Sequence, residues 1–120
     1  MTIAEVMMIG LGGFFGAILR FLVSRKLNIE KRFPLGTLIV NLVGSFLIGL
    51  IFGLALPKLW TLFLVSGFLG ALTTFSTLQR EVIGGWHSGK WKDAIFYMSL
   101  TYGGGILLAL FGYLLGIFFL

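Results

Sequence analysis

Residues 67–78 read GFLGALTTFSTL, and this stretch decides how the rest of the chain is interpreted. Four hydroxyl residues surround Phe75 in an otherwise apolar run: Thr73, Thr74, Ser76 and Thr77. Trp60 and Trp86 flank the stretch, and their midpoint in the sequence is Thr73. Because tryptophan favours the membrane–water boundary, the two residues place the hydroxyl cluster near the middle of a membrane.

The hydroxyl cluster has two interpretations. Threonine and serine side chains often bond to carbonyl groups of their own helix, which makes them tolerable inside a span. The alternative is a helix that is interrupted on purpose at a binding site, since unpaired polar groups at that depth are costly. The sequence around residues 73–77 leaves both open.

Composition makes the lipid bilayer the solvent of this chain. Of its 120 residues, 58% are hydrophobic and only 11% are charged. A membrane-spanning helix needs about 20 apolar residues. The chain divides into four such segments, at about residues 3–23, 35–56, 59–85 and 94–120, within one transmembrane domain. A cleavable signal peptide is not expected, because no basic region precedes the first apolar run.

The predicted spans lack the groups that enzymes and proton relays need. They contain no histidine or lysine, no carboxylate near their centres, and the chain has no cysteine. Acid–base, nucleophilic and thiolate–metal chemistry are therefore not expected, and proton-coupled transport usually requires an ionisable group in the membrane. The sequence predicts a protein that is not an enzyme.

Polar side chains remain in the second and fourth spans. Thr37, Asn41 and Ser45 are spaced four residues apart, and Tyr97 and Thr101 share a face in the same way. Asn41 is either a hydrogen-bonding contact between helices or a donor to an anion. Tyr97 is either an interface anchor or a pathway residue.

These groups suit a small ion that is held weakly enough to leave again. Amide and hydroxyl groups donate hydrogen bonds, and the edge of an aromatic ring is the positive part of its quadrupole, so the ion is expected to be an anion. Arg20 lies near the end of the first span. Its side chain either snorkels to the membrane–water interface or attracts anions at a pore mouth.

Three segments in order carry a family resemblance: GGFFGAILRF, GTLIVNLVGSF and GFLGALTTFST. The succession resembles the Fluc/CrcB family of fluoride channels, and the length and four-span plan match as well. The resemblance implies an all-α membrane protein that forms an antiparallel, dual-topology dimer. Its third helix breaks in mid-membrane, and fluoride leaves the cell passively, which lowers its toxicity. The expected location is the inner membrane of a prokaryote.

The resemblance also implies roles for individual residues. The anion pathway falls on Asn41, Phe75, Thr37, Tyr97 and Thr101. A structural sodium ion, not transported, is expected between the subunits on the backbone carbonyls of Gly70 and Thr73. Two positions depart from the family pattern: Leu78 replaces a second phenylalanine, and Gly105 stands where a serine is common.

Basic residues lie on one side of the predicted topology. Loops 1 and 3 carry seven of them, while the opposite side has only Lys58; the seven are Arg25, Lys26, Lys31, Arg32, Arg80, Lys90 and Lys92. The positive-inside rule places these loops in the cytoplasm. The partner is then either an identical chain that overrides this bias or an oppositely oriented paralogue.

Two other functions fit four short spans. A small multidrug-resistance-type, proton-coupled exporter needs a carboxylate deep in the first span, and Glu5 lies close to the amino terminus. A non-transporting assembly factor held by its GxxxG faces, such as Gly12 and Gly16, would carry no ion at all.

Overall fold

The computed structural model describes residues 1–27, 35–74 and 76–120, and every regular element in them is helical. In chain order, the α-helices are α1 (Ile3–Leu27), α2 (Leu35–Leu54), α3 (Lys58–Thr61), α4 (Gly70–Leu72), α5 (Ser76–His87) and α6 (Trp91–Phe118). A π-helical segment, Leu62–Leu69, joins α3 to α4.

Four candidate membrane spans occur within these described residues: Ile3–Lys26, Leu35–Leu54, Lys58–His87 and Trp91–Phe118. Each is long and apolar enough to cross a bilayer, and the prediction of an all-α, multi-pass membrane protein is confirmed. The first helix extends to Leu27, four residues beyond the predicted end of its span. Arg25 and Lys26 occupy its last turn, where cations complement the helix dipole.

The first and third spans pack backbone to backbone. A Cβ atom at Gly12 would lie against the Phe63 carbonyl and 2.8 Å from the Phe68 nitrogen. On the other side, a Cβ at Gly67 would lie 2.6 Å from the Ile9 carbonyl oxygen. The small residues predicted as a packing signal therefore lie at the contact between α1 and the π-helical segment.

The second and fourth spans form the largest contact in the fold, again through glycines. A Cβ at Gly49 would lie against the Ala109 carbonyl, 2.8 Å from its carbon atom. A Cβ at Gly116 would lie 2.6 Å from the Leu50 carbonyl oxygen. Both distances are shorter than real Cβ contacts, so α2 and α6 approach as closely as they do because these positions lack side chains.

The outer surfaces of the helices are apolar and uncovered. Ile106 is 70% exposed and Leu107 is 68% exposed on α6, and Phe14 is 60% exposed on α1. In water such a surface would aggregate, whereas lipid chains or a second subunit solvate it without cost.

Gly49→Ala is expected to destabilise the protein, because the added methyl group must push the α6 backbone away. Overpacking of this kind costs about 1–3 kcal/mol. Gly103→Ala is the matched control, since a Cβ there meets nothing within 4 Å. Thermal unfolding in detergent measures both; equal midpoints for the two variants would show that α2 and α6 do not depend on close backbone contact.

Candidate functional site

Helical hydrogen bonding in the third span changes at Thr74, whose N–H donates to the Asn41 side chain. The helix α4 ends at Leu72, Thr73 has extended backbone angles (φ −79°, ψ 158°), and α5 begins at Ser76. Thr73 still bonds back to its own helix, because its N–H and its hydroxyl both donate to the Leu69 carbonyl, at 2.9 and 2.8 Å. Phe75, predicted in the anion pathway, lies outside the described residues.

Thr74 forms hydrogen bonds with α5 and with α2. Its hydroxyl accepts the Thr77 N–H at 3.3 Å, which satisfies one of the amide groups that the start of α5 leaves without a helical partner. Thr73 thus bonds to the preceding helix, as the first interpretation of the hydroxyl cluster predicts, whereas Thr74 bonds to the following helix.

Asn41 of α2 holds the backbone of Thr74 in a pair of hydrogen bonds. The Asn41 Oδ1 accepts the Thr74 N–H at 2.9 Å, and the Asn41 Nδ2 donates to the Thr74 carbonyl at 3.1 Å. Asn41 is only 9% exposed. One side-chain amide therefore pairs both backbone groups of a non-helical residue inside an apolar bundle, where an unpaired group is costly. A carboxamide has two N–H groups, and this pair uses one of them.

The bonds to Asn41 and Thr74 change which carbonyls can bind a cation. In a continuous helix the Thr74 N–H would bond the Gly70 carbonyl and the Thr77 N–H would bond the Thr73 carbonyl. These two N–H groups donate to Asn41 and to the Thr74 hydroxyl instead. Carbonyl oxygens are suitable ligands for hard cations, so the two predicted sodium-binding positions fit that chemistry.

A groove of about 380 Å³ lies between α2, α6 and the interrupted part of the third span. Asn41, Thr73 and Thr101 line it, as do Ser45 and Gly105. The groove therefore brings together side chains from three separate spans, and its polar groups are an amide and hydroxyls. Such groups donate hydrogen bonds without carrying charge.

Thr37 and Tyr97 lie outside this groove and both contact Glu81, a residue that the sequence does not single out. The Tyr97 hydroxyl donates to Glu81 Oε1 at 3.1 Å, and the Thr37 hydroxyl donates to Glu81 Oε2 at 3.5 Å. Tyr97 is 3% exposed and Thr37 is 1% exposed. Thr101 connects this cluster to the groove, since its hydroxyl donates to the Tyr97 carbonyl at 2.8 Å.

A helical pattern could have identified Glu81. Hydropathy falls sharply after Leu78, and Glu81 lies near the end of the predicted span at residues 59–85. However, α5 continues to His87, so Leu78 and Glu81 are three residues apart on one helical face. Leu78, 4% exposed, packs with Tyr97 in a buried cluster. Leu78 therefore packs beside Tyr97 and also lines the groove.

Three arginines surround a second cavity of about 520 Å³, between α1 and α5. Arg20, Arg25 and Arg80 line it together with Thr77 and with Thr74, which also lines the groove. Thr74, whose backbone is hydrogen-bonded to Asn41, therefore lines both cavities. Several guanidinium groups around one opening raise the local concentration of anions. This arrangement favours the pore-mouth interpretation of Arg20.

Comparison with known proteins decides the family. The profile of the CrcB-like protein family, Camphor Resistance (CrcB), matches residues 7–113. This chain belongs to the CrcB family. The resemblance drawn from the three sequence segments is confirmed by this match.

Relatives in the CrcB family are similar over most of their length. The fluoride-specific ion channel FluC 1 of Geobacillus kaustophilus is 46% identical over 109 residues, covering 90% of this chain and 94% of the relative. FluC 2 of Bacillus thuringiensis is 40% identical over 114 residues, covering 93% and 97%. FluC of Methanocaldococcus jannaschii is 39% identical over 119 residues, covering 96% of both chains. These names are those of ion channels, which confirms that the chain is not an enzyme.

Asn41→Ala is expected to release the Thr74 backbone, because the variant leaves both backbone groups without their side-chain partner. Hydrogen exchange at the Thr74 amide should then become faster, and the protein should lose about 1–3 kcal/mol of stability. Val43→Ala is a suitable control because Val43 is 46% exposed on the same helix. Unchanged exchange at Thr74 would mean that the amide pair does not hold this segment.

Proposed function

We propose that this chain forms a fluoride channel through which fluoride leaves the cell passively, lowering its concentration and toxicity in the cytoplasm. The observation that carries the proposal is the groove of neutral donors around Asn41, in a family whose relatives are named fluoride-specific ion channels. Fluoride is strongly hydrated, so it crosses an apolar region only where donors replace its water.

The pathway proposed for the anion uses the residues predicted from the sequence. Asn41 and Thr101 line the groove, and the family resemblance also assigns Phe75 to the pathway. Thr37 and Tyr97 lie at the neighbouring cluster, where Glu81 competes with the anion for their hydroxyl groups. None of the proposed donors is a cation, and neutral donors bind an anion weakly enough for it to move on.

The arginine cavity is the proposed entry. Its three guanidinium groups attract anions to Thr74, which borders both cavities. The positive charges remain outside the groove itself, so they raise the rate of entry without trapping the ion at the narrowest part.

A structural sodium ion is proposed at the interruption of the third span, which we place in mid-membrane. The carbonyls of Gly70 and Thr73 would hold it, supported by the two N–H groups that donate elsewhere. Gly70 lies at the exposed surface of the subunit. A second subunit would supply the remaining oxygen ligands, which is why the ion belongs to a dimer.

The proposed assembly is an antiparallel dimer in the cell membrane, formed either by two copies of this chain or with an oppositely oriented paralogue. Exposed apolar faces on α1 and α6 offer the surface for it. An inverted copy places its own polar groups against the groove from the other side.

The proton-coupled exporter is the second candidate, and the position of Glu5 disfavours it. Glu5 lies in the first turn of α1, where it accepts the Thr2 N–H at 3.2 Å and pairs with Lys58 at 2.9 Å. These contacts fix a carboxylate at the end of the span instead of in its centre, where an exporter would need to protonate it.

The decisive measurement is fluoride efflux from liposomes that contain the assembled dimer. A fluoride electrode should record release that is much faster than from empty vesicles and that needs no proton gradient. Release that requires a proton gradient would support the exporter, and complete retention by assembled protein would support a non-transporting role.

Single cysteines in the loops measure the orientation, since the chain has no native cysteine. The charge bias predicts that a cysteine beside Lys90 reacts only from the cytoplasmic side, and one beside Lys58 only from outside. That result requires a partner of opposite orientation. Reaction of each loop from both sides would instead support a dimer of identical chains.

A further inference from the structure

Ser45 places a hydroxyl group at a point of the groove where α6 has no side chain. An ideal Cβ atom built on Gly105 would lie 3.2 Å from Ser45 Oγ and 3.9 Å from Ser45 Cβ. Gly105 is buried, and both residues line the groove that Asn41 and Thr101 share. The α2 hydroxyl thus occupies the space beside Gly105 instead of a side chain from α6.

The hydroxyl series along α6 explains why this position matters. Tyr97, Thr101 and Gly105 are four residues apart on one face, so the series ends after Thr101. In the structure the next hydroxyl along that face comes from the neighbouring helix. It lies one helical turn from Asn41, because residues 41 and 45 are also four apart on α2.

The Ser45 hydroxyl can exchange partners at low cost. It donates to the Asn41 carbonyl at 2.8 Å, a bond from a residue to the carbonyl four positions earlier. In an α-helix that carbonyl also accepts the backbone N–H of residue 45. Rotation of the hydroxyl towards the groove therefore leaves no backbone group without a partner.

We infer that Ser45 supplies a hydroxyl donor to the anion pathway, in the place that Gly105 leaves empty. The inference rests on the proposed function, since it names a further residue of the same pathway. The Ser45 hydroxyl donates a hydrogen bond to the anion as it moves between Asn41 and the part of the groove lined by Gly105. When no anion is near, the hydroxyl donates to the Asn41 carbonyl.

The first test is Ser45→Ala in the assembled dimer, measured as fluoride efflux from liposomes over a range of fluoride concentrations. The loss of one hydrogen bond to a charged partner is expected to lower efflux by about tenfold. Ser99→Ala is the matched control, because Ser99 is exposed on α6 and outside the groove lining. Efflux through Ser45→Ala equal to that through Ser99→Ala would overturn the inference.

The second test moves the hydroxyl from one helix to the other. With alanine at 45, a Cβ on residue 105 meets the alanine methyl group at about 3.9 Å, an ordinary contact. Ser45→Ala with Gly105→Ser should therefore recover most of the efflux, whereas Ser45→Ala with Gly105→Ala should not. The two double variants fill the same space and differ by one hydroxyl, so equal efflux through them would assign Ser45 a packing role only.

The controls separate this inference from the proposed function. Efflux through the unaltered dimer and through Ser99→Ala tests the channel itself, and its absence removes the proposed function and the inference together. Efflux through both, with no effect of moving the hydroxyl, removes the inference and leaves the channel intact. Size-exclusion chromatography of each variant checks that the dimer is unchanged.

Discussion

The pairing of the Asn41 amide with the Thr74 backbone is the interaction on which the rest of the site depends. A residue that leaves the helix inside an apolar bundle exposes an N–H and a carbonyl that no water can satisfy. Asn41 satisfies both, at 2.9 and 3.1 Å. The start of α5 follows from this arrangement, because the Thr74 hydroxyl can then accept the Thr77 N–H. Leu78 is placed against Tyr97 one turn further on, and Glu81 reaches Thr37 and Tyr97 from the same helical face.

Glycine contacts between α2 and α6 shape the groove that Asn41 lines. The close approach of α2 and α6 depends on positions such as Gly49 and Gly116, where a Cβ would collide with backbone atoms. At the level of Asn41 and Ser45, the same two helices are lined by polar groups and the small Gly105, so a groove opens there. The two helices are thus in close contact around Gly49 and Gly116, and they leave a groove around Asn41, Ser45 and Gly105. The groove is a consequence of that packing and needs no separate loop to build it.

The sequence predicts the four spans and most of the polar residues of the site, but it does not predict which residues these side chains contact. Hydropathy identifies the four spans because that signal is local, and the hydroxyl cluster lies where α4 ends and α5 begins. The two interpretations of Asn41, an interhelical contact or an anion donor, could not be separated by spacing. In the structure the Asn41 amide makes an interhelical contact with Thr74 through one of its two N–H groups, so this contact does not by itself exclude the role of anion donor. Glu81 was not identified because it lies near the end of the predicted span at residues 59–85, after the hydropathy has fallen, and its contacts with Thr37 and Tyr97 join three separate spans. Ser45 was placed on the correct face, but its relation to Gly105 depends on the packing of two distant helices.

The charge and the exposed surface of the chain support the proposed dimer. Gly70 lies at an exposed surface and Thr73 follows three residues later, so a cation bound to their carbonyls would have protein ligands on one side only. An inverted second subunit is the simplest source of the others, since the same carbonyls then face each other across a two-fold axis. The clustering of Arg20, Arg25 and Arg80 at one cavity gives each subunit a basic end. In an antiparallel pair these ends lie on opposite sides of the membrane, so each of two pathways would begin with an anion-attracting opening on a different side. The proposed passive exit would require no more asymmetry than this, because the fluoride gradient alone would set the direction of flow.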